Sequence, residues 1–406
     1  MAAVNAHKVF CNAPENKDFL SRITIEGWLD QGLRATRDLI RQHVKDGLRE
    51  WQGRITRDQL FEATALRKIV DIPALRPKFR MQGSFVYATV NDPAFKPPQE
   101  VDLDDGLFLP IGFFVKNGGT SPMVASKGFF ELVESILEPL CAKHGWTLDK
   151  SKDSCIRVRL IDGAHIDIPL YAVADEAFAR LVEKRASQTT DAAHATEIRE
   201  SLVLEDSIYK ALDESEIRLA HRKLGWIESD PRKIEDWFVQ AKRIYGDQLA
   251  RVCRYLKAWR DYAWPESKLS SLSLMQCAVM ALAALKSNVS PARDDVALLE
   301  VVKKLPEYFQ GDIKNPVIED QSLNDNWTAE MRQEYLMAAR VLRGRVTKAL
   351  EENTPKAEVL RELKKAFGSR IPDDESLITY DTSAAVVRSY EPAKVPQPHV
   401  RRSVSG

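Results

Sequence analysis

The sequence has no surplus of charge of either sign: 59 Lys and Arg stand against 59 Asp and Glu. A protein that follows a long nucleic-acid backbone draws on a basic surplus, so the balance speaks against a polymer substrate and against an obligatory nucleic-acid partner. No run approaches the ~20 apolar residues that a membrane span requires. The opening MAAVNAHKVFCNAPENK has no apolar core of the kind a secretory leader carries. The expectation is a chain that works in the cytoplasm, away from membranes. Cysteine is scarce and never forms a C-x-x-C pair. Cys11, Cys141, Cys155, Cys253 and Cys277 read as free thiols in a reducing compartment. The seven histidines show no metal-ligand spacing such as H-E-x-x-H.

What the chain does have is patterned apolar sequence over 406 residues, enough for two lobes. Leu29, Leu33, Leu39, Ile40, Val44, Leu48 and Trp51 recur at helical spacing and predict a long amphipathic helix from Thr24 to Trp51. A second helix is expected from Arg57 to Val70, stopping before Pro73. The stretches GLFLPIGFFV and CIRVRLIDGAHIDIPLYAV are rich in strand formers, and KGFFELVESILEPLCAKHG between them reads as a helix closed by Gly145. From Lys184 to Ala195 the chain is polar and small, which predicts a surface loop. Beyond Ser201 it turns mainly helical, and Pro372 opens a Pro-rich tail poor in core formers. The expected division is 1–53, a bridging helix; 54–200, an α/β lobe; 201–371, a helical lobe; and 372–406, a partly disordered tail.

The chemistry concentrates in QGSFVYATVNDPAFKPPQEVDLDDGLFLP, residues 82–110. Side chains two apart on a strand share a face, so Asp102 and Asp104 present two carboxylates side by side. Such a pair repels itself unless a cation lies between, and Mg²⁺ is the hard, oxygen-seeking ion that suits it, with Mn²⁺ the alternative. Asp167, inside the apolar HIDIPLYAV, is a third carboxylate that needs a partner. Three carboxylates can hold two ions in a two-metal site. Gly83 and Ser84 fit the same picture, since a Gly-Ser turn lets backbone amides and a hydroxyl approach phosphate oxygens. Arg157 lies on the strand preceding Asp167. Lys257 lies on a helix packed by Leu256 and Trp259. Ser271, in SSLSLM, is placed as a helix N-cap, where anions are also favoured. Trp226, Trp237, Trp259 and Trp264 read as core rather than as base-stacking platforms.

With these residues in view, the sequence resembles the bacterial cGAS/DncV-like nucleotidyltransferases, in particular their cyclic GMP-AMP synthases. QGSFVYATVN, QEVDLDDG and HIDIPLYA carry the general signature. WIESDPRKIEDWF and RVCRYLKAWRDYAW followed by SSLSLM carry the more specific likeness. The resemblance implies an α+β fold: a polymerase-β-like nucleotidyltransferase palm and a helical C-terminal lobe, bridged by the long N-terminal helix. It implies that Asp102, Asp104 and Asp167 hold two Mg²⁺ ions, and that Asp167 also assists deprotonation of the attacking hydroxyl. Gln82, Ser84 and Tyr87 would line the nucleotide site around Gly83, while Arg157, Lys257 and Ser271 would contact phosphates or nucleotides and Asp320 a base. The implied substrates are ATP and GTP and the implied product is cyclic GMP-AMP or a related cyclic purine dinucleotide. That product would act as a second messenger in anti-phage defence (CBASS) through a cyclic-nucleotide-activated effector. The loop before Asp102 departs from the family pattern, with Pro97-Pro98 where a Gly-containing turn is expected, which bears on the acceptor pocket. The terminal RRSVSG resembles the exposed glycine end of ubiquitin-like proteins, so a ubiquitin-transferase-like partner acting on Gly406 is expected.

The residues by themselves leave other readings open. A template-independent RNA nucleotidyltransferase or a toxin-type enzyme modifying a protein would use the same three aspartates, and a binding module would retain the fold without needing them. The base pair and the 3′–5′ or 2′–5′ linkage are not settled by any motif.

Overall fold

A computed structural model describes residues 4–67, 75–116, 119–161, 163–176, 179, 212–213, 216–229, 231–285, 292–352 and 354–380. The polar stretch 184–195 and Gly406 lie outside the described residues.

The chain starts with a short strand, β1 (Val4–Asn5), and then feeds Phe10, Phe19 and Ile23 into the core of the helical lobe. It changes lobes within two residues, because Ile25 and the apolar stripe of helix α1 (Gly27–Arg49) belong to the core of the palm. Leu29, Leu33, Ile40, Val44 and Leu48 are buried there, as their spacing requires. The bridge is therefore made by α1 together with the segment before it. The helix expected over 57–70 is broken: Arg57–Leu60 and Ala63–Leu66 are separate turns, because Phe61 is extended and pairs with Val124.

The palm is a mixed sheet. Strand β2 (Lys78–Gln82) runs antiparallel to β3 (Val101–Ile111), and the hairpin β4 (Phe113–Lys116) and β5 (Gly119–Pro122) follows. Helix α2 (Ser126–His144) crosses the sheet and ends at Gly145, whose φ of 70° is the left-handed cap that glycine accepts. Then come β6 (Thr147–Asp149), β7 (Ile156–Arg159), β8 (Ala164–Ile168) and β9 (Leu170–Ala174). β8 and β9 lie end to end along one side of β3, both parallel to it and separated by Pro169. β10 (Ile217–His221) and β11 (Gly225–Glu228) add a hairpin to β9. The palm thus extends past residue 200, where the composition change placed the lobe boundary. α1 and α2 approach closely at Gly47, where a Cβ would lie 2.6 Å from the Ile136 side chain.

The helical lobe holds α3 (Pro231–Tyr245), α4 (Asp247–Ala263), α5 (Ser271–Ala283), α6 (Asp294–Gln310), α7 (Ala329–Glu351) and α8 (Lys356–Phe367). Its core is continuous with Val4, Phe10 and Phe19 at one end and Leu377 and Ile378 at the other. Residues 372–380 are accordingly part of the fold, ending in β12 (Thr379–Tyr380), which pairs with β1. The expected tail therefore begins no earlier than residue 381, outside the described residues. Among the described residues, no helix is long and apolar enough to cross a membrane.

Candidate active site

The pleat of the palm sheet lines up the acidic residues. Gln82 is the register partner of Asp104, Asp104 of Asp167, Asp167 of Arg157 and Arg157 of Asp149, a single row across β2, β3, β8, β7 and β6. Two residues along, Asp102 pairs with His165 and His165 with Arg159. Cross-strand partners point to the same face, so both rows face one way. Leu103, Ile166 and Val158 alternate with them into the core beneath α1 and α2. Asp105 shares that inward face and is held by Arg41 of α1, whose Nε donates at 2.7 Å.

Gly83 sits where β2 turns into a short helix over Gly83–Tyr87. Its φ is +65°, and a Cβ there would lie 2.0 Å from Asp104 Oδ2. Glycine is required twice over, by the left-handed backbone and by the carboxylate packed against it. Burial pushes the Asp104 carboxyl well above the usual range, with the charges of Asp102 and Asp167 adding to the rise and those of Arg157 and Lys257 opposing it. Arg157 donates from Nε and Nη2 to the two oxygens of Asp167, each at 2.7 Å.

The rows open on a cavity of about 620 Å³ between palm and helical lobe. Gly83, Ser84, Tyr87, Asp102, Asp104 and Arg157 line it from the palm; Lys257, Arg260, Trp264 and Ser271 line it from the lobe. Lys257 is buried on α4 and donates to the Thr89 carbonyl at 2.6 Å. Burial, with Arg260 next, lowers its ammonium to about 8. Ser271 is the first residue of α5, not its cap: Ser270 accepts from the Ser273 amide and caps the helix. Ser271 Oγ instead accepts from Arg260 at 3.0 Å. Trp264 lines the cavity and turns its indole N–H to Glu334 at 2.6 Å, while Trp259 is buried against it. Gln82 lies outside the lining, and its Oε1 accepts from the Tyr171 hydroxyl at 3.3 Å. Asp320 is exposed on a loop, with φ 58°, and is not part of the lining.

The Pro97-Pro98 loop is fastened across the cleft: Gln99 Nε2 donates to the Asp261 and Trp264 carbonyls at 2.8 and 2.9 Å. Nearby, Asn91 and Arg254 exchange two hydrogen bonds, at 2.8 and 2.9 Å. Sequence reasoning missed His165 and Glu100, which flank the acidic rows. His165 Nδ1 lies 2.8 Å from Glu100 Oε2.

A divalent cation suits these residues. Asp102, His165 and Asp167 offer ligand atoms within 4.8 Å of one another. Asp102 Oδ1 is shielded from solvent and makes no hydrogen bond, although His165 Nε2 lies 3.0 Å away, and a bound cation would satisfy it.

In sequence and fold the chain is similar to known proteins. The profile of the DncV-like cyclic GMP-AMP synthase nucleotidyltransferase domain matches residues 77–171, and that of the cyclic GMP-AMP synthase C-terminal domain matches residues 246–380. The chain is 30% identical over 341 residues to the cyclic GMP-AMP synthase of Vibrio cholerae serotype O1, covering 82% of this chain and 76% of that one. It is 31% identical over 359 residues to an Escherichia coli cyclic GMP-AMP synthase, covering 83% and 77%. It superposes with a TM-score of 0.73 and 25% identity on the V. cholerae DncV enzyme crystallised with the linear intermediate 5′ pppA(3′,5′)pG, covering 94% of this chain and all of that one. The same enzyme with GTP and 5MTHFGLU2 gives 0.75 and 25% over the same coverage.

Proposed function

This chain belongs to the DncV-like family of cyclic GMP-AMP synthase nucleotidyltransferases, and from that premise we propose that it joins ATP and GTP into cyclic GMP-AMP or a closely related cyclic purine dinucleotide. The observation that carries the proposal is the pair of acidic rows opening on a cleft of about 620 Å³, closed by a second lobe and set in a chain of zero net charge. Such a cleft suits small triphosphates rather than a polymer track.

In this reading Asp102, Asp104 and Asp167 hold two Mg²⁺ ions. The chemistry those ions supply when bound is Lewis acidity toward the attacking ribose hydroxyl and the departing pyrophosphate. The protein's own residues do the rest. Gly83 lets the backbone and Ser84 approach the phosphates, and keeps clear the space that Asp104 occupies. Arg157 fixes the orientation of Asp167, which assists deprotonation of the attacking hydroxyl. Lys257 places a positive charge on the phosphates from the lobe. Ser271, at the N-terminus of α5, and Arg260, on α4, add donors there. Gln82 supports the turn from behind. Tyr87 lines the nucleotide site. Asp320, on its exposed loop, meets a base only if that loop closes on the cleft.

Two transfers in the same cleft, with the linear intermediate turned over between them, close the ring. The product serves as the messenger of an anti-phage system and acts on a cyclic-nucleotide-activated effector. Conjugation of Gly406 by a ubiquitin-transferase-like partner is tested by intact-mass analysis of co-expressed protein, with deletion of Gly406 expected to remove the adduct.

The deciding experiment is incubation with all four triphosphates and Mg²⁺, followed by mass spectrometry and nuclease mapping of the products. A cyclic dinucleotide formed without primer is expected. Extension of an RNA primer, or label retained on protein, overturns the proposal in favour of a polymerase or a protein-modifying enzyme.

A further inference from the structure

The loop over residues 92–99 and the end of α4 form one partition beside the catalytic cavity. Pro93, Gln99, Asp261 and Trp264 line that cavity. Phe95 and Tyr262 come from the same two segments but lie outside the lining. Tyr262 instead lines a second cavity of about 500 Å³, formed with α8 on the surface of the helical lobe. The rings of Phe95 and Tyr262 lie within 12° of parallel, with centroids 6.4 Å apart. They are 37% and 38% exposed. Tyr262 is seated by Gly368, where φ is +81° and a Cβ would lie 2.7 Å from its ring. Two parallel aromatic rings held in solvent offer an apolar surface that a planar ring can cover.

The rest of this cavity is cationic. Arg361, Lys364 and Lys365 line it from α8. The nearby carboxylates do not cancel that charge. Glu358 is divided between Arg361 and Lys348, and Glu362 between Lys365 and Lys348. Asp373 also lines the cavity and holds Lys364 at 2.6 Å, but its side chain is 84% exposed, so water screens the pair. Four cations thus share three carboxylates. A phosphate brings more charge and more acceptor oxygens than one carboxylate and can replace such partners.

We propose that this outer cavity binds a purine nucleotide, its base against Tyr262 and Phe95 and its phosphates on Arg361, Lys364 and Lys365. Stacking platforms beside positive charge are how proteins hold a base and its phosphate without reading sequence. A bicyclic base has the area to engage both rings, and the volume suits a single nucleotide. Phe95 belongs to the loop that Gln99 fastens to the Asp261 and Trp264 carbonyls, so a ligand here bears on one wall of the catalytic cavity. The inference stands apart from the proposed reaction, since the outer cavity shares no lining residue with the catalytic one.

The test photolabels the full chain with 8-azido-ATP and Mg²⁺ on ice and localises the adducts to single residues by tandem mass spectrometry. Two sets are expected, one at residues lining the catalytic cavity and one at or beside Tyr262 and Phe95. Tyr262→Leu and Lys364→Glu are each expected to raise the half-saturating concentration for the outer adduct about tenfold and to leave the cavity adduct unchanged. ATP, GTP and cyclic GMP-AMP are then added separately as competitors, and displacement of the outer label by any of them supports the proposal and separates substrate from product as its source. Inorganic tripolyphosphate displacing the outer label as well as ATP does overturns it, leaving a site for phosphate alone. Adducts confined to the catalytic cavity overturn it and leave the proposed function standing. An outer adduct that neither variant weakens also overturns it, as surface labelling only. An outer adduct with none in the catalytic cavity supports the outer site and counts against the proposed function.

Discussion

On the palm side of the cleft, the chemistry-bearing groups stand two residues apart on strands, and hydrogen-bonded register sets their places: Asp102 and Asp104 on β3, Asp167 on β8, Arg157 on β7. On the lobe side, Lys257, Arg260 and Ser271 come from two helices, and only tertiary docking brings them to the cavity. Strand register fixes where a carboxylate stands relative to its cross-strand neighbour. A helix positions a side chain only as well as its own packing and the inter-lobe contacts allow. The proposed roles follow that difference: in our proposal the palm carries the reaction, and the lobe grips and aligns the triphosphates.

That contrast can be broken at several points. The largest effect is expected for Asp104→Asn, which leaves the fold intact and removes charge from the centre of the row; product formation should fall on the order of 10³-fold or more, in kcat and kcat/KM alike. Next is Gly83→Ala. A methyl cannot share space with Asp104 Oδ2, so the carboxylate must move, and a displacement of that size costs about 10²-fold in rate. Thermal melting alongside the kinetics separates a moved carboxylate from a lost fold.

On the lobe side, Lys257→Met is expected to raise the KM for triphosphate about tenfold at pH 7 and to change kcat less, the signature of lost binding. Burial lowers Lys257 to about 8, so its charge is present below that pH and lost above it. The wild-type KM should therefore climb toward the variant's between pH 7 and 9, while the variant's stays flat. A lobe substitution that removed kcat as completely as Asp104→Asn would abolish the distinction between the two walls. The smallest effect is expected for Asn91→Ala, which cuts the paired hydrogen bonds to Arg254 and loosens one tie between the lobes. It should cost about 1–2 kcal/mol in denaturant unfolding and lower kcat/KM a few-fold.

The same division explains what could be read from the sequence. The palm site was legible because Asp-x-Asp on a strand and a lone Asp among isoleucines each carry their geometry in the two-residue period. Gly83 was legible as a turn, though not as the residue that makes room for Asp104, since that contact joins two strands. His165 and Glu100 gave no signal, because one histidine in an apolar run has no spacing to interpret. On the lobe side, adjacent serines hid the cap: Ser270 and Ser271 differ only in which one precedes the first helical turn. The break at Phe61 was invisible because an outside partner, Val124, overrides a local helical pattern. The hairpin over 217–228 was missed because its short strands gain their stability from pairing with β9 rather than from their own sequence.

The central claim is that one acidic site carries out two successive nucleotidyl transfers that end in a ring. Counting pyrophosphate against cyclic product, with ATP, GTP and Mg²⁺ as the only reactants, tests it most directly. The account predicts two pyrophosphates released for each ring formed, with both yields lost together in Asp104→Asn. Pyrophosphate released without a cyclic product, or rings still formed at the wild-type rate by Asp104→Asn, would contradict it.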